Sequence, residues 1–251
     1  MSEQTHIQTG TENDTDSYRQ PVNASFELFP DTELDLAEEI QRIKSWTETD
    51  ECIPPTVTGR FTVDATTINH LSLNFPYSYV MLQGSQFYSE DDEIASDAAS
   101  GEGIELIERE SRKLLKEIYD EFAQLVLEDM ARTNTGNDAS LQFTEQRSSL
   151  GIYTNDDELH CDNLEAFDIR YIVTIAGPST IFYKGRLPRK LLDIAGELLV
   201  EPDDPEIAVQ EVQPLTFEVT RFTSHDPHKA PEIDVEQFRI VLDATLEVIP
   251  A

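Results

Sequence analysis

Residues 160–183 read HCDNLEAFDIRYIVTIAGPSTIFY. The stretch opens with a histidine and an aspartate two positions apart, His160 and Asp162, and continues with an apolar run over 169–176. Residues two apart on an extended chain point to the same side, so both side chains can face one metal ion. Gly177-Pro178 then separates two strands as a tight turn would. The stretch therefore predicts paired strands next to two candidate metal ligands.

The rest of the C-terminal half also reads as short strands separated by turns. Strands are predicted at 141–144, 149–153, 167–176, 179–183, 197–200, 216–223 and 238–248, with a short helix at 187–194. Strands of this length, with no helical pattern between most of them, favour an antiparallel jelly roll over a parallel α/β sheet. We expect a mainly β fold with flanking helices.

Two amphipathic helices are expected in the first half. The clearer one runs from 104 to about 132, with apolar residues at three- and four-residue steps and charged residues on the other side. Its apolar face needs a platform such as a sheet. A shorter helix follows Asp31, which offers an N-cap, and ends near 47–52. Residues 60–82 are expected to form one or two strands.

The length of 251 residues suits one sizeable domain. Residues 1–24 are too polar and acidic to bury a core and are predicted to be a disordered tail. We expect a single domain over 25–251, in which a helical and strand extension at 25–140 packs on a core at 141–248. The acidic segment 89–103 has the composition of a mobile loop, which a lid over a site would share.

The charge balance limits the partners of the chain. Against 50 acidic residues stand 18 basic ones, which gives a formal net charge of −32. Nucleic-acid backbones and anionic membranes would be repelled, so neither is expected as a partner. Two cysteines are too few for a disulfide framework and indicate a reducing compartment. With no pattern of a signal or transit peptide, we expect a cytoplasmic protein.

Two downstream histidines, His225 and His228, compete to be a third ligand. Ten residues separate His228 from Arg239, and Pro231 follows His228 closely. Two imidazoles and one carboxylate form the ligand set that holds Fe(II) on one face and leaves the opposite positions free. By itself, the H-x-D pattern at 160–162 favours a surface turn in an acidic loop over a metal site, and a third ligand is needed to reverse that preference.

The combination of H-x-D, a distal histidine and a basic residue about ten positions beyond it resembles the Fe(II)/2-oxoglutarate-dependent dioxygenase superfamily. Within the superfamily, the segments 160–162, 170–180, 228–231 and 239–242 look most like a group of little-characterised bacterial proteins. The resemblance covers roughly residues 141 to 248.

The resemblance implies a double-stranded β-helix, a cupin-like jelly roll whose wide mouth holds the iron. His160, Asp162 and His228 would be the ligands, with His228 preferred to His225 for its distance to Arg239. The oxoacid end of 2-oxoglutarate would occupy two further positions. Arg239 would bind the distal carboxylate of 2-oxoglutarate through a bidentate, charge-assisted pair.

Four further assignments stay open at the level of sequence. Tyr171 either donates its hydroxyl to the same 2-oxoglutarate carboxylate or is a core tyrosine. Arg221 could also reach a carboxylate, although a surface salt bridge is the alternative. His225 would lie behind the ligands or on the substrate side. Strand alternation does not decide whether Arg239 points inward.

The implied activity is oxidation of an unidentified small molecule or peptide by an Fe(II)- and 2-oxoglutarate-dependent oxygenase. One alternative is a non-catalytic binding protein on a degenerate jelly roll, which would gain no thermal stability from metal. Another is a cupin-like metalloenzyme that does not use 2-oxoglutarate, in which Arg239→Ala would leave activity intact. The sequence leaves the oligomeric state open.

Overall fold

The structure is a computed structural model that describes residues 23–73, 80–83, 109–133, 140–151, 158–232 and 238–249. Most of the predicted tail, 1–22, lies outside the described residues, as does the whole predicted loop 89–103. Ala24, the last residue assigned to the tail, begins a strand.

The described chain alternates strands with three α-helices. The strands are β1 (Ala24–Leu28), β2 (Glu51–Cys52), β3 (Thr56–Val63), β4 (Val80–Gln83), β5 (Ser140–Gly151), β6 (Asp168–Ala176), β7 (Ile181–Arg186), β8 (Ala208–Val212), β9 (Glu218–Thr223), β10 (His228–Lys229) and β11 (Arg239–Ile249). The helices are α1 (Leu36–Thr49), α2 (Ala65–Leu73) and α3 (Arg109–Ala131). Among these helices, none is both long and apolar enough to cross a membrane.

The strands form two antiparallel sheets. The larger has seven strands in the order β1-β3-β9-β6-β11-β5-β4, and in the smaller β7 pairs with β10, β2 and β8. His160 joins the smaller sheet through a bridge to His228 in β10. From β5 onward the chain passes back and forth between the sheets in jelly-roll fashion, except that β7 and β8 follow one another in the smaller sheet. The larger sheet holds β5, β6, β9 and β11, and the smaller holds His160, β7, β8 and β10. The two hydrogen-bonded networks do not close into a barrel, and the prediction of a mainly β jelly roll is confirmed.

Helix α3 covers the outer face of the larger sheet. Five residues of the helix are fully buried in the core: Leu115, Ile118, Phe122, Leu125 and Val126. The sheet contributes Ile169, Tyr171, Val173 and Ile175 from β6 and alternate residues of β11 from Ile240 to Leu246. Because alternate residues of a strand point to opposite faces, the remaining residues of β6 and β11 face the smaller sheet. The predicted packing of a long amphipathic helix on a sheet is confirmed.

Several local predictions are wrong in position or type. Residues 65–73, expected to be strand, form α2, because Asp64 caps the helix by accepting from the backbone N–H groups of Thr66 and Thr67, each at 3.0 Å. Helix α1 begins at Leu36 rather than after Asp31, since Asp35 caps it.

The predicted strand 197–200 is likewise replaced by isolated bridges at Glu197 and Leu198. The strand that pairs with β7 lies further on, as β8. The helix expected at 187–194 is a 3-10 turn over Arg189–Leu191.

Candidate metal centre

Three side chains, His160, Asp162 and His228, converge at the edge of the smaller sheet. One potential ligand atom from each lies within 4.8 Å of those of the other two. Backbone pairing produces this approach, since His160 N donates to His228 O at 3.0 Å and His228 N donates to His160 O at 2.8 Å. Asp162 N donates to Ser224 O at 3.0 Å, which fixes the carboxylate beside the same loop. The two imidazole centroids are 4.6 Å apart.

Both imidazoles are oriented by a backbone carbonyl two residues earlier. His160 Nδ1 lies 2.9 Å from Glu158 O, and His228 Nδ1 lies 2.8 Å from Asp226 O. Because a carbonyl oxygen only accepts, each Nδ1 carries the proton and each Nε2 keeps its lone pair in the neutral ring. Metal-binding histidines are commonly held in this way, by a hydrogen bond from the nitrogen that does not bind the metal.

The protonation states of the cluster suit a cation. Burial raises the pKa of Asp162, but the positive charge that His228 carries in acid and the charge of Arg170 outweigh this effect and hold the pKa at about 2. Burial lowers the pKa of His228 below its ordinary value. At neutral pH the carboxylate is therefore ionised and the buried imidazole is neutral, which are the forms that bind metal.

Aromatic rings cover His228 from the interior. The ring centroids of Phe222 and Phe182 lie 5.2 and 5.8 Å from the imidazole of His228, and the two phenyl rings are 5.2 Å apart in an edge-to-face arrangement. His228 is buried, whereas His160 is partly exposed. The cluster is consequently open on the side of His160.

Arg239 is buried at the start of β11, next to the turn that precedes β7. Its Nε donates to Pro178 O at 2.9 Å and its Nη2 to Thr180 Oγ1 at 2.8 Å. Thr180 and Phe182 line a small pocket between the two sheets that is partly open to solvent. The ring of Phe182 also contacts His228, so one wall of this pocket adjoins the cluster.

The structure corrects the expectations for Tyr171 and Arg221. Tyr171 donates its hydroxyl to Asp129 Oδ2 at 2.8 Å, and Arg221 donates to the same oxygen at 2.7 Å. Asp129 belongs to α3 and is fully buried, so both side chains lie on the outer, helix-covered face of the larger sheet. Strand alternation thus directs Tyr171 away from the cluster, and Arg221 forms a buried ion pair rather than a surface one.

His225 lies beside the cluster and is not one of its members. Its Nε2 is 3.2 Å from Leu164 O, and its ring faces Phe167 with centroids 6.5 Å apart. Burial lowers the pKa of His225. Of the two competing histidines, the structure brings His228 to His160 and Asp162.

Two arginines near the site form ion pairs that were not found from the sequence. Arg170 of β6 contacts the carboxylates of Asp162 and Asp243 on the inner face of the larger sheet. The alternation of β6 and β11 places Arg170 and Asp243 on the face opposite the apolar core positions, and this pattern could have pointed to their contact.

The second of these arginines, Arg42, ties α1 to the loop that carries His228. Arg42 donates from Nη2 to Asp226 Oδ2 at 2.8 Å, and the same oxygen accepts from Thr223 N at 2.6 Å. The carbonyl of Asp226 is the group that orients His228. No feature of the sequence links Arg42 to a residue so distant in the chain.

No family model matches this chain, and no curated protein sequence matches it. Similar solved structures include a 2OG-Fe(II) oxygenase family oxidoreductase from Burkholderia pseudomallei, at 12% identity over 86% of this chain and 95% of that one, with a TM-score of 0.37. AviO1 from Streptomyces viridochromogenes Tue57 is 12% identical over 85% of this chain and 97% of its own, with a TM-score of 0.40. HygX from Streptomyces hygroscopicus, with nickel and 2-oxoglutarate bound, is 12% identical over 84% of this chain and 87% of its own, with a TM-score of 0.40.

Proposed function

We propose that the protein is an Fe(II)- and 2-oxoglutarate-dependent oxygenase with His160, Asp162 and His228 as its metal ligands. One observation carries the proposal. Both imidazoles are fixed through Nδ1 by backbone carbonyls, which leaves each Nε2 available beside an ionised carboxylate. Two nitrogen donors and one oxygen donor on one side of an ion match the facial set of non-haem Fe(II) oxygenases.

The chemistry that iron and 2-oxoglutarate supply when bound is oxidative decarboxylation of the oxoacid coupled to oxidation of a substrate by dioxygen. The chain itself would bind and orient iron, 2-oxoglutarate and the substrate, and it would exclude water from them. Phe182 and Phe222 keep water from the inner side of His228. The partly exposed side of His160 leaves room for an organic substrate, either a small molecule or a peptide.

Arg239 is the proposed anchor for the distal carboxylate of 2-oxoglutarate. A guanidinium offers planar, paired donors that match a carboxylate. Thr180 adds a hydroxyl at the same place, because it accepts from Arg239 and can donate its own proton to an anion. Thr180 lies two residues before Phe182, whose ring contacts His228, so the proposed anchor and the cluster adjoin the same strand.

The test is succinate release from 2-oxoglutarate in the presence of Fe(II) and dioxygen. His160→Ala and Asp162→Ala are expected to abolish release, since each removes a ligand. His225→Gln is the matched control, because it removes a nearby imidazole that lies outside the cluster. Equal turnover in the wild type and both ligand variants, or a loss in His225→Gln as large as in His160→Ala, would contradict the proposed site.

Binding measurements separate the two alternatives from the proposal. Thermal unfolding with Mn(II), alone and with 2-oxoglutarate, is expected to show a rise in Tm at each addition. No rise with metal would favour a non-catalytic binding protein. A rise with metal but none with 2-oxoglutarate, unaltered in Arg239→Gln, would favour a metalloenzyme that does not use the oxoacid.

A further inference from the structure

We propose that Arg170 is a positioning residue that, held by Asp243, fixes the carboxylate of Asp162 toward the two imidazoles. The inference rests on the proposed metal site. It assigns a role to a buried ion pair on the inner face of the larger sheet that no ligand pattern includes.

Arg170 is immobilised from three directions. Its Nη1 contacts Asp162 Oδ2, and its Nη2 contacts Asp243 Oδ2. The carbon at the centre of its guanidinium lies 5.1 Å from the centroid of the Phe222 ring. The backbone of Arg170 belongs to a strand with neighbours on both sides, β9 and β11. A side chain held this firmly can define the position of a group that contacts it.

Asp162 needs such a partner more than the histidines do. Each imidazole is oriented by a hydrogen bond to a backbone carbonyl. Asp162 instead lies two residues after the isolated bridge at His160, outside any strand, and its side chain is 28% exposed. The nearest imidazole nitrogen, His228 Nε2, is 3.7 Å from Asp162 Oδ2, which is beyond hydrogen-bond distance. The contact with Arg170 therefore opposes rotation of the carboxylate toward water.

Because Asp243 balances the charge of Arg170, Arg170 can hold the carboxylate of Asp162 without adding net positive charge to the site. The side chains of Arg170 and Asp243 are each 12% exposed, so the two opposite charges offset one another inside the fold. Asp162 keeps its own negative charge for the cation. An arginine without Asp243 would instead place an unbalanced positive charge beside a divalent ion, and the ion would be repelled.

The matched pair on the other face of the sheet provides a control. Arg221 and Asp129 form a buried arginine–aspartate pair of the same kind, 4% and 0% exposed, with its contacts directed toward α3. A variant of Arg221 loses a buried ion pair but no contact with the cluster. It distinguishes loss of fold stability from loss of ligand positioning.

The experiment measures metal binding by the full chain without 2-oxoglutarate or substrate. Mn(II) titration gives the dissociation constant, and the visible absorption of bound Co(II) reports the geometry of the ligands. Arg170→Gln is expected to weaken Mn(II) binding by about 10–100-fold, as removal of a residue that orients a ligand does, and to change the Co(II) spectrum. Arg170→Lys is expected to restore part of the affinity. Arg221→Gln is expected to lower Tm and leave both metal readouts unchanged.

Arg170→Gln leaves the carboxylate of Asp243 buried without its partner, which endangers folding. The double variant Arg170→Gln/Asp243→Asn removes both charges at nearly constant shape, and it is expected to show the same loss of affinity and the same spectral change. Wild-type affinity and spectrum in the folded double variant would overturn the role of Arg170 while leaving the proposed function intact. A wild type that binds neither Mn(II) nor Co(II) at the cluster would overturn the proposed function itself.

Discussion

Neighbouring residues of β6 serve opposite sides of the larger sheet. Arg170 points inward to Asp162 and Asp243, and Tyr171 points outward to Asp129 of α3. Both contacts involve a buried carboxylate, but only the inward one reaches the cluster. The alternation of a single strand therefore separates a contact that supports the site from one that attaches the helix.

The outward contact predicts the behaviour of Tyr171→Phe. The change removes a buried hydrogen bond to a charged group and is expected to lower the free energy of unfolding by about 1–3 kcal/mol. The affinity for Mn(II) and for 2-oxoglutarate should stay at the wild-type value, because the hydroxyl contacts Asp129 on the helix side. Urea unfolding and calorimetric binding measure the two quantities. A selective loss of 2-oxoglutarate affinity would place Tyr171 in the site after all.

The sequence predicted part of the candidate site for a clear physical reason. His160 and Asp162 are two apart, and that spacing fixes their relation wherever the chain is extended. The relation of His228 to them depends on a backbone bridge across the smaller sheet, which no local pattern encodes. Arg170 escaped notice because its role requires both of its carboxylate partners, and they are brought to it by folding.

The segment between β7 and β8 is locked to the site by one glycine. Gly196 has a φ of +95°, and a Cβ at this position would lie 2.1 Å from Cys161 O. Cys161 N donates to Gly196 O at 2.9 Å, and Cys161 itself stands between two proposed ligands. The close approach of the two backbones therefore fixes the loop directly against the cluster.

Gly196→Ala is expected to weaken Mn(II) binding by about tenfold or more, because the added methyl group must push Cys161 away and the ligands move with it. Gly185→Ala is the matched control. Gly185 has a φ of +113° and its Cβ would meet Ala208 O at 2.6 Å, in the pairing of β7 with β8. Both variants should lower Tm in thermal unfolding, and only Gly196→Ala should alter metal affinity. Equal affinities in the two variants would contradict the coupling.

Helices and strands with one clear apolar pattern were predicted correctly. Those in which apolar pattern, side-chain branching and capping favoured different structures were not. Helix α3 has a long apolar stripe, and β6 has an apolar residue at every second position from Ile169 to Ile175, so their identity was clear. In α2 the threonines after Asp64 favour a strand by their branching, but the side chain of Asp64 satisfies the free N–H groups of a helix, and the helix forms. Strand β8 is mostly exposed, which gave it no apolar pattern to detect.

The complete chain combines a jelly roll with an unusually acidic composition. Its ion pairs near the centre, such as Arg170–Asp243 and Arg221–Asp129, are buried and little screened by salt. The excess of acidic over basic residues gives a formal net charge of −32, and mutual repulsion of that charge destabilises any compact state. Salt should therefore act on the unbalanced surface charge more than on the internal pairs.

Tm is expected to rise as KCl increases from about 0.01 to 0.5 M, since the screening length falls from about 30 Å to less than 10 Å over this range. Unfolding separates the acidic groups, so screening removes more repulsion from the folded state than from the unfolded one. Choline chloride at equal ionic strength is the control, because a bulky cation screens charge but does not fit a compact carboxylate site. A similar rise in both salts is the expected result. A rise in KCl alone would indicate specific cation binding, and a Tm that stays flat or falls would show that repulsion among the acidic residues does not limit the stability of the fold.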